Sequence, residues 1–285
     1  MRPTSQLRAL LKRQEILVAP GAYDGISARM IEQAGFAAAY MTGSGTAASL
    51  GFPDFGLVTM SEMVENAGVI TRSISLPLIA DADTGYGNEL NVTRTVREYE
   101  ARNVAAIHIE DQVAPKRCGH LDGKEVVSRE EFAIKIRAAV KARRDPDFMI
   151  IARTDARAVL GLDEAIERAN RALAEGADMA FVEAAQSLEE MAAVPQRVKG
   201  PCLLNQVPGG KTPLVSMDEA QAMGYRLMIV PGILLRSAVA TFDRVLGELA
   251  ASRKPFGVSG SDSVNEGFRR FGADEWNALR AQGLK

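Results

Sequence analysis

The six residues Lys116-Arg117-Cys118-Gly119-His120-Leu121 put a thiol, two cations and an imidazole around one glycine. The chain has only two cysteines and two histidines, and one of each falls in this hexapeptide. Neighbouring cations favour a thiolate, so the spacing predicts a Cys118 pKa below the free value of about 8.5. Gly119 lets the backbone approach a ligand closely. Proton transfer or nucleophilic attack by Cys118 is the chemistry on offer. The alternative is a solvated basic loop with an incidental cysteine, since short motifs also match by chance.

A second polar set follows the ends of apolar runs. Thr42-Gly43-Ser44-Gly45 follows residues 37–41, Asp81-Ala82-Asp83 follows 77–80, and Glu110-Asp111 follows 105–109. Arg153-Thr154-Asp155 follows 148–152, Glu183 ends 179–182, and Asn205 ends 202–204. Several carboxylates with one arginine at one mouth are costly unless the excess charge is neutralised, and a divalent cation is the simplest agent. Asp81 and Asp83, two apart on an extended chain, share a face. Oxygen donors without clustered His or Cys suit Mg2+ or Mn2+; one Asp taken alone reads more readily as a helix cap, but the whole set does not. Arg153 suits a substrate carboxylate as a bidentate partner. Thr42-Gly43-Ser44 offers amides and hydroxyls to a second anionic group. His108, in mid-run, reads as a core residue, and Cys202 as a small buried hydrophobe.

The elements that must position these groups repeat along the chain. A helical stretch, a small turn and a short apolar run recur, the runs being 16–19, 37–41, 77–80, 105–109, 148–152, 179–182, 202–204 and 227–230. Glycine turns at Gly35, Gly176 and Gly224 suit the left-handed position that closes a helix. Helical periodicity covers residues 26–33, 60–73, 89–102, 129–142 and 162–174, with Asp163 and Ser128 as expected N-caps and 128–131 as a capping box. The runs are apolar throughout, as parallel strands covered on both faces require. Eight such units in about 250 residues predict a (β/α)8 barrel of TIM type. An open doubly wound sheet is the competitor, but no G-x-G-x-x-G turn follows the first run. Residues 53–57 and 114–127 are long connections of the kind that carry function. A helix over 234–253, a break at 257–261 and a last helical piece exceed what a barrel needs. The expected organisation is a barrel over 1–240, with 241–285 a helical extension of the same domain that docks on another subunit.

Composition narrows the class. At 285 residues, 47% hydrophobic and 25% charged, the chain reads as an ordinary globular protein. A net charge of −2 carries no footprint for nucleic acid or an acidic membrane. Two cysteines make no disulfide framework, which points to a reducing cytoplasm. The polar N-terminus does not fit a signal peptide, and no apolar run reaches transmembrane length.

These blocks together resemble the isocitrate lyase/phosphoenolpyruvate mutase superfamily, and within it the short 2-methylisocitrate lyases and their relatives. The likeness runs from about Val18 to Arg236. It rests on Lys116 to Leu121, Leu50-Gly51-Phe52-Pro53-Asp54, Asp81 to Gly87, Ile109-Glu110-Asp111-Gln112 and Ile151 to Asp155. The resemblance implies a barrel whose last helix is exchanged within a homotetramer, a dimer of dimers. It also implies a Mg2+ site and cleavage of a C–C bond in a 2-hydroxy di- or tricarboxylate, releasing a 2-oxo acid. By position, Asp81 and Asp83 would hold the metal, with Asp54 and Glu110 through water. Thr42, Gly43, Ser44, Arg153, Cys118, Gly119, Glu183 and Asn205 would contact substrate. Isocitrate lyases carry an insertion that this chain lacks, so isocitrate is not the expected substrate. Asn205-Gln206-Val207 replaces the Asn-Ile-Thr of methylisocitrate lyases, and residues 208–213 look more like the branch with 2,3-dimethylmalate lyases and oxaloacetate hydrolases.

The implied chemistry follows from charge. Removing the 2-hydroxyl proton lets C2–C3 break, giving a 2-oxo acid and a carbanion beside a carboxylate. Metal charge lowers the cost of that step. Cys118 would donate the proton the carbanion needs, with Lys116, Arg117 and His120 holding the anionic partner and tuning the thiol. Glu183, a metal-linked water and Tyr40 are the candidate bases. Arg236, or Arg269 or Arg270 from a neighbour, could bind a third carboxylate. Oxaloacetate hydrolysis and P–C chemistry on phosphonopyruvate are the rival reactions, the latter opposed by the Cys-Gly-His motif. A binding protein on a dead barrel is the reading outside enzymes, opposed by the intact motifs.

Overall fold

The structure, a computed structural model, describes residues 1–257 and 263–283. Eight parallel strands close in chain order: β1 (Leu17–Ala22), β2 (Ala39–Met41), β3 (Leu78–Asp81), β4 (Ala106–Glu110), β5 (Met149–Thr154), β6 (Met179–Val182), β7 (Cys202–Asn205) and β8 (Leu227–Val230). The seam joins β1 to β8, in register from Leu17 opposite Leu227 to Pro20 opposite Val230. The expected (β/α)8 barrel is present. Strand β1 runs past the apolar stretch 16–19 through Pro20-Gly21, residue types that read as a turn. It can do so because a β-carbon at Gly21 would lie 2.1 Å from Pro231 O, so only glycine lets the strand pass that close to the chain leaving β8.

Helices Gly25–Gln33, Met60–Ser73, Glu89–Ala101, Arg129–Ala142 and Leu162–Ala174 stand between the strands, near the expected bounds. The side chains of Asp24, Thr59, Asn88 and Ser128 each accept the amide three residues on, satisfying one of the orphan donors that open a helix. Ser128 makes only its own half of the capping box. Asp163 is not an N-cap. Gly161, at φ 95°, takes that place between two helices, and Asp163 sits in the first turn, 2.7 Å from Arg197 Nη2. A carboxylate there still favours the helix dipole.

Inside the barrel, residues such as Leu17, Ile79, Met149, Ile151, Phe181 and Leu227 form one buried cluster. Helix Pro3–Leu11, in a stretch that reads only as polar in sequence, adds Leu7 and Leu10 to it. Alternation along each strand does the rest. Ile79 is followed inward by Asp81, Ile151 by Arg153, Phe181 by Glu183 and Leu203 by Asn205. The interior therefore changes from apolar to charged toward the C-terminal strand ends.

Residues Met1–Leu234 form one compact unit and Leu235–Lys285 a second. The second holds most of helix Ile233–Ser252, then Val264–Arg270 and Ala273–Gly283. Of the expected break at 257–261, everything after Gly257 lies outside the described residues. Among the described residues no helix is long and apolar enough to cross a membrane.

Candidate active site

The connection from β4 to helix Arg129–Ala142 carries Cys118, and its two feet are stitched together. Val113 N donates to Glu125 O and Val127 N to Asp111 O, both at 2.9 Å, around an antiparallel bridge between Gln112 and Val126. The Gln112 side chain holds the Arg117 backbone twice, donating to its carbonyl at 2.8 Å and accepting its amide at 3.0 Å. The tip is thereby set against the barrel mouth. A β-carbon at Gly119 would stand 2.5 Å from Arg153 Nη2 and 2.7 Å from Glu183 Cγ.

Arg153 is the hub of this side. Its Nε and Nη2 donate to Asp155 Oδ2 and Oδ1 at 2.9 and 3.3 Å, and Phe181 lies under the guanidinium at 5.1 Å. Glu110 Oε2 is 3.2 Å from Nε and Glu183 Oε2 is 3.4 Å from Nη2. Burial opposes the charge on Arg153, but Asp155, Glu110 and Glu183 hold its pKa well above the usual range. Burial likewise opposes the Asp155 carboxylate, yet Arg153 and Lys124 pull its pKa to about 2. Asn205 Nδ2 donates to Glu183 Oε2 at 2.9 Å, while Asn205 Oδ1 is buried without a partner. Ala184, at φ 59°, turns its amide back onto Glu183 Oε1 at 2.7 Å. A non-glycine residue in that region is strained and must be held by its surroundings.

The carboxylates gather on the other side. Lys116 Nζ lies 2.5 Å from Asp54 Oδ1 and 2.9 Å from Asp83 Oδ1. Asp83, at φ 45°, donates its amide to Asp81 Oδ1 at 2.9 Å. His108 Nε2 is 3.6 Å from the same oxygen and 2.8 Å from Tyr40 Oη. His108 is fully buried, as expected of a core residue, and burial pushes its pKa down to about 4, so the ring is neutral. Burial also raises Tyr40 well above the usual phenol range. Thr42 Oγ1 and Ser44 Oγ are 3.0 Å apart, and a β-carbon at Gly43 would meet Asp81 Oδ2 at 2.4 Å.

Four carboxylates face this region, but they are not equally charged. Burial opposes the charge on Asp81, which His108, Lys116 and Arg153 nonetheless hold below the usual carboxylate value. Burial and the Asp81 charge raise Asp83 to about 6 against the pull of Lys116. Burial raises Glu110 well above its usual value. Glu110 Oε1 is buried without a partner, while Glu110 Oε2 and Asp83 Oδ1 meet only the cations of Arg153 and Lys116, at 3.2 and 2.9 Å. Clustered carboxylate oxygens fit a hard divalent cation. Among the described residues no three such side chains stand at ion-holding separations. Lys116 supplies the positive charge instead.

The Cys118 thiol overturns one expectation. Burial raises its pKa, with the His120 amide only partly offsetting the effect. The adjacent cations do not acidify it because Lys116 turns to Asp54 and Asp83 while Arg117 faces solvent. His120 Nδ1 accepts the Lys211 amide at 3.1 Å, which assigns the proton of a neutral ring to Nε2, 3.6 Å from Glu183 Oε1.

Thr42, Gly43, Ser44, Asp54, Asp81, Asp83, Glu110, Lys116, Cys118, Gly119, His120, Arg153, Glu183 and Asn205 all lie at the C-terminal strand ends or on the connections that follow them, Gly43 and Ser44 opening the short helix Gly43–Ser49. Tyr40 reaches the same layer through His108. Arg236 stands in the second unit, on Ile233–Ser252. Cys202 is buried, and burial raises its pKa to about 12. Sequence reasoning placed Asp155 among the polar strand ends but gave it no role, and did not single out Lys124. Asp155 shares a strand face with Arg153, a signal available from alternation. Lys124 has no such signal, because its bonds to Gly119 and Asp155 depend on how the loop folds and not on strand alternation.

The family model described as phosphoenolpyruvate phosphomutase matches residues 7–250. The chain is 51% identical over 232 residues to 2,3-dimethylmalate lyase of Eubacterium barkeri, covering 81% of this chain and 80% of that one. It is 46% identical over 248 residues to 2-methylisocitrate lyase of Aeropyrum pernix, covering 87% and 80%. The solved structure of oxaloacetate acetylhydrolase in complex with the inhibitor 3,3-difluorooxalacetate superposes with a TM-score of 0.93 at 42% identity, over 99% of this chain and 97% of that one. The barrel, the loop and these likenesses agree: the chain belongs to the phosphoenolpyruvate mutase/isocitrate lyase superfamily.

Proposed function

We propose that the chain is a carbon–carbon lyase that cleaves a substituted malate, a 2-hydroxy dicarboxylate, to pyruvate or a close 2-oxo acid plus a monocarboxylate. The observation that carries this reading is the seating of Cys118-Gly119 against Arg153 and Glu183, a thiol on a loop beside a carboxylate-binding arginine. The lyase relatives at 51% and 46% identity support it.

Arg153 binds one substrate carboxylate, and Thr42, Gly43 and Ser44 take the other. Glu183, oriented by Asn205 and the Ala184 amide, is better placed than Tyr40 to remove the 2-hydroxyl proton, because burial makes the Tyr40 phenolate costly. The C2–C3 bond then breaks and its electron pair stays on the departing carbon. A thiol kept protonated by burial suits the next step, in which the Cys118 Sγ proton passes to that carbon. His120 and Lys116 hold the loop through Glu183 and the carboxylates.

Asp81 and Asp83, with Asp54 and Glu110 through water, would hold Mg2+ or Mn2+ where Lys116 now meets their charge. Bound there, the ion would supply positive charge beside the oxygen that becomes a carbonyl. The protein would work in the cytoplasm as a homotetramer, a dimer of dimers; exchange of C-terminal helices between subunits is supported by Val239, Phe242, Leu246 and Leu249, which recur at helical spacing and are exposed.

A panel of C2-hydroxylated acids assayed for 2-oxo acid release, with and without Mg2+, tests the reading. Release of pyruvate from a substituted malate supports it. Turnover of oxaloacetate alone would favour the hydrolase reading that the 42% likeness to oxaloacetate acetylhydrolase supports.

A further inference from the structure

Lys124 is buried, its side chain only 1% exposed, on the return limb of the loop that carries Cys118. A buried ammonium is expensive unless paired and hydrogen-bonded. Here it donates to the carbonyl of Gly119 and, at 2.9 Å, to Asp155 Oδ1. Those two partners lie on different bodies, one at the loop tip and the other at the end of β5. Asp155 is also the carboxylate that holds Arg153. Its own amide donates to Asp111 Oδ1 at 2.8 Å, so its backbone is fixed to the barrel. If the tip lifted with Lys124 the bond to Asp155 would break, and if it lifted without Lys124 the Gly119 carbonyl would lose its donor.

We propose that Lys124 is a positioning residue: by bridging Gly119 to Asp155 it latches the Cys118 loop down and sets the thiol against Arg153. The kinetic consequence rests on the lyase reading. The geometric claim does not, because loop position can be read without turnover. The strength of a charge-assisted bond sets how often a local segment opens. Lys124 therefore controls access to Cys118, and through it the fraction of protein with the donor in place.

The test follows iodoacetamide labelling of both cysteines by peptide mass spectrometry in the full chain with Mg2+ present. Plateau rates are taken across a pH series, so that a change in thiol titration is not read as access. Lys124→Met should label at Cys118 about tenfold faster than wild type, the scale expected when one charge-assisted bond is lost. Cys202 should label unchanged, and Lys124→Arg should restore slow labelling at Cys118. In the assay, Lys124→Met should lower kcat more than it raises KM. Lys124→Gln, which keeps a donor for Gly119 but not the charge, serves if the Met variant does not fold. Cys118 labelling within about twofold of wild type would overturn the latch. So would Cys202 accelerating in step with Cys118, which would mean general loosening. Faster Cys118 labelling in a protein that releases no 2-oxo acid from any substrate would sink the lyase reading and leave the latch standing.

Discussion

Gly119 and Arg153 touch in a way that forbids any side chain between them. A β-carbon on Gly119 would stand 2.5 Å from Arg153 Nη2 and 3.0 Å from Glu183 Cδ. Gly119→Ala must push the loop away or displace the guanidinium. Because a misplacement of about 1 Å can cost about 10²-fold in rate, we expect kcat/KM to fall by about that factor with the circular dichroism spectrum unchanged. Steady-state kinetics retaining more than about a third of wild-type kcat/KM would contradict the closed seating of this loop.

Cys118→Ser should bind substrate nearly normally and lose about 10²–10⁴-fold in kcat, the usual contribution of a general acid. A hydroxyl is a much weaker acid than a thiol, even one that burial makes harder to ionise. Retention of more than about a tenth of kcat, a loss below ~1.4 kcal/mol, would remove Cys118 from proton transfer. Cys202→Ser, buried in β7 away from the mouth, should leave kcat unchanged.

Much of the site is legible in sequence because a barrel strand ends where its apolar run ends. Asp81, Glu110, Arg153, Glu183 and Asn205 can each be placed from that one rule, without any contact being known. What alternation does not reveal is where a long side chain turns. Lys116 and Arg117 are neighbours beside the same thiol, yet one is buried against Asp54 and Asp83 and the other faces water. The expected acidification of Cys118 failed for that reason. Pro20-Gly21 misled differently: residue types that usually end a strand here let β1 pass beside Pro231. Lys124 was invisible because its partner Asp155 follows the neighbouring strand, and only the folded loop brings the two together.

Divalent metal should be required. Glu110 Oε1 has no partner, and Lys116, Arg153 and Lys124 are the cations among Asp54, Asp81, Asp83, Glu110, Asp155 and Glu183. Treatment with EDTA should abolish 2-oxo acid release, with Mg2+ or Mn2+ restoring it. Asp83→Ala should be inactive while keeping the wild-type melting profile and losing Mg2+ binding by calorimetry. Full activity in EDTA would refute the metal requirement.

Acid stability should depend on Asp155. Its folded pKa of about 2 lies below the unfolded value of about 3.9, so its ionised form stabilises the fold. That stabilisation is complete above the unfolded value and is lost as pH falls from about 4 toward 2. Its size is on the order of 2 kcal/mol. Asp155→Asn should flatten the pH dependence of urea unfolding in that window. Equal slopes for the two proteins would show that the pairing with Arg153 and Lys124 adds nothing.

Substituted malates should outperform 2-methylisocitrate. By the resemblance drawn from sequence, Val207 stands where methylisocitrate lyases carry a hydroxyl, and the Gln206 side chain is committed to its own loop, accepting the Val215 amide at 2.8 Å. A third carboxylate would then lack a polar partner, and an unpaired buried charge is expensive. The comparison is kcat/KM across the panel. A higher value for 2-methylisocitrate than for every substituted malate would refute the choice and leave the lyase assignment in place.

The closure of β1 on β8 also bears on how the chain can be made. Leu17 must wait for Leu227, so the contact that completes the barrel joins segments from opposite ends of this unit. Until β8 leaves the ribosome, β1 has only β2 as a neighbour and shows a bare edge along the opposite side. Contacts this distant in sequence slow folding, because loop entropy is spent before they form. Nascent chains halted before residue 227 would therefore carry an open sheet, prone to pairing with one another or calling on chaperones. Release of the last strand, more than formation of any early helix, would be the step that ends that exposure.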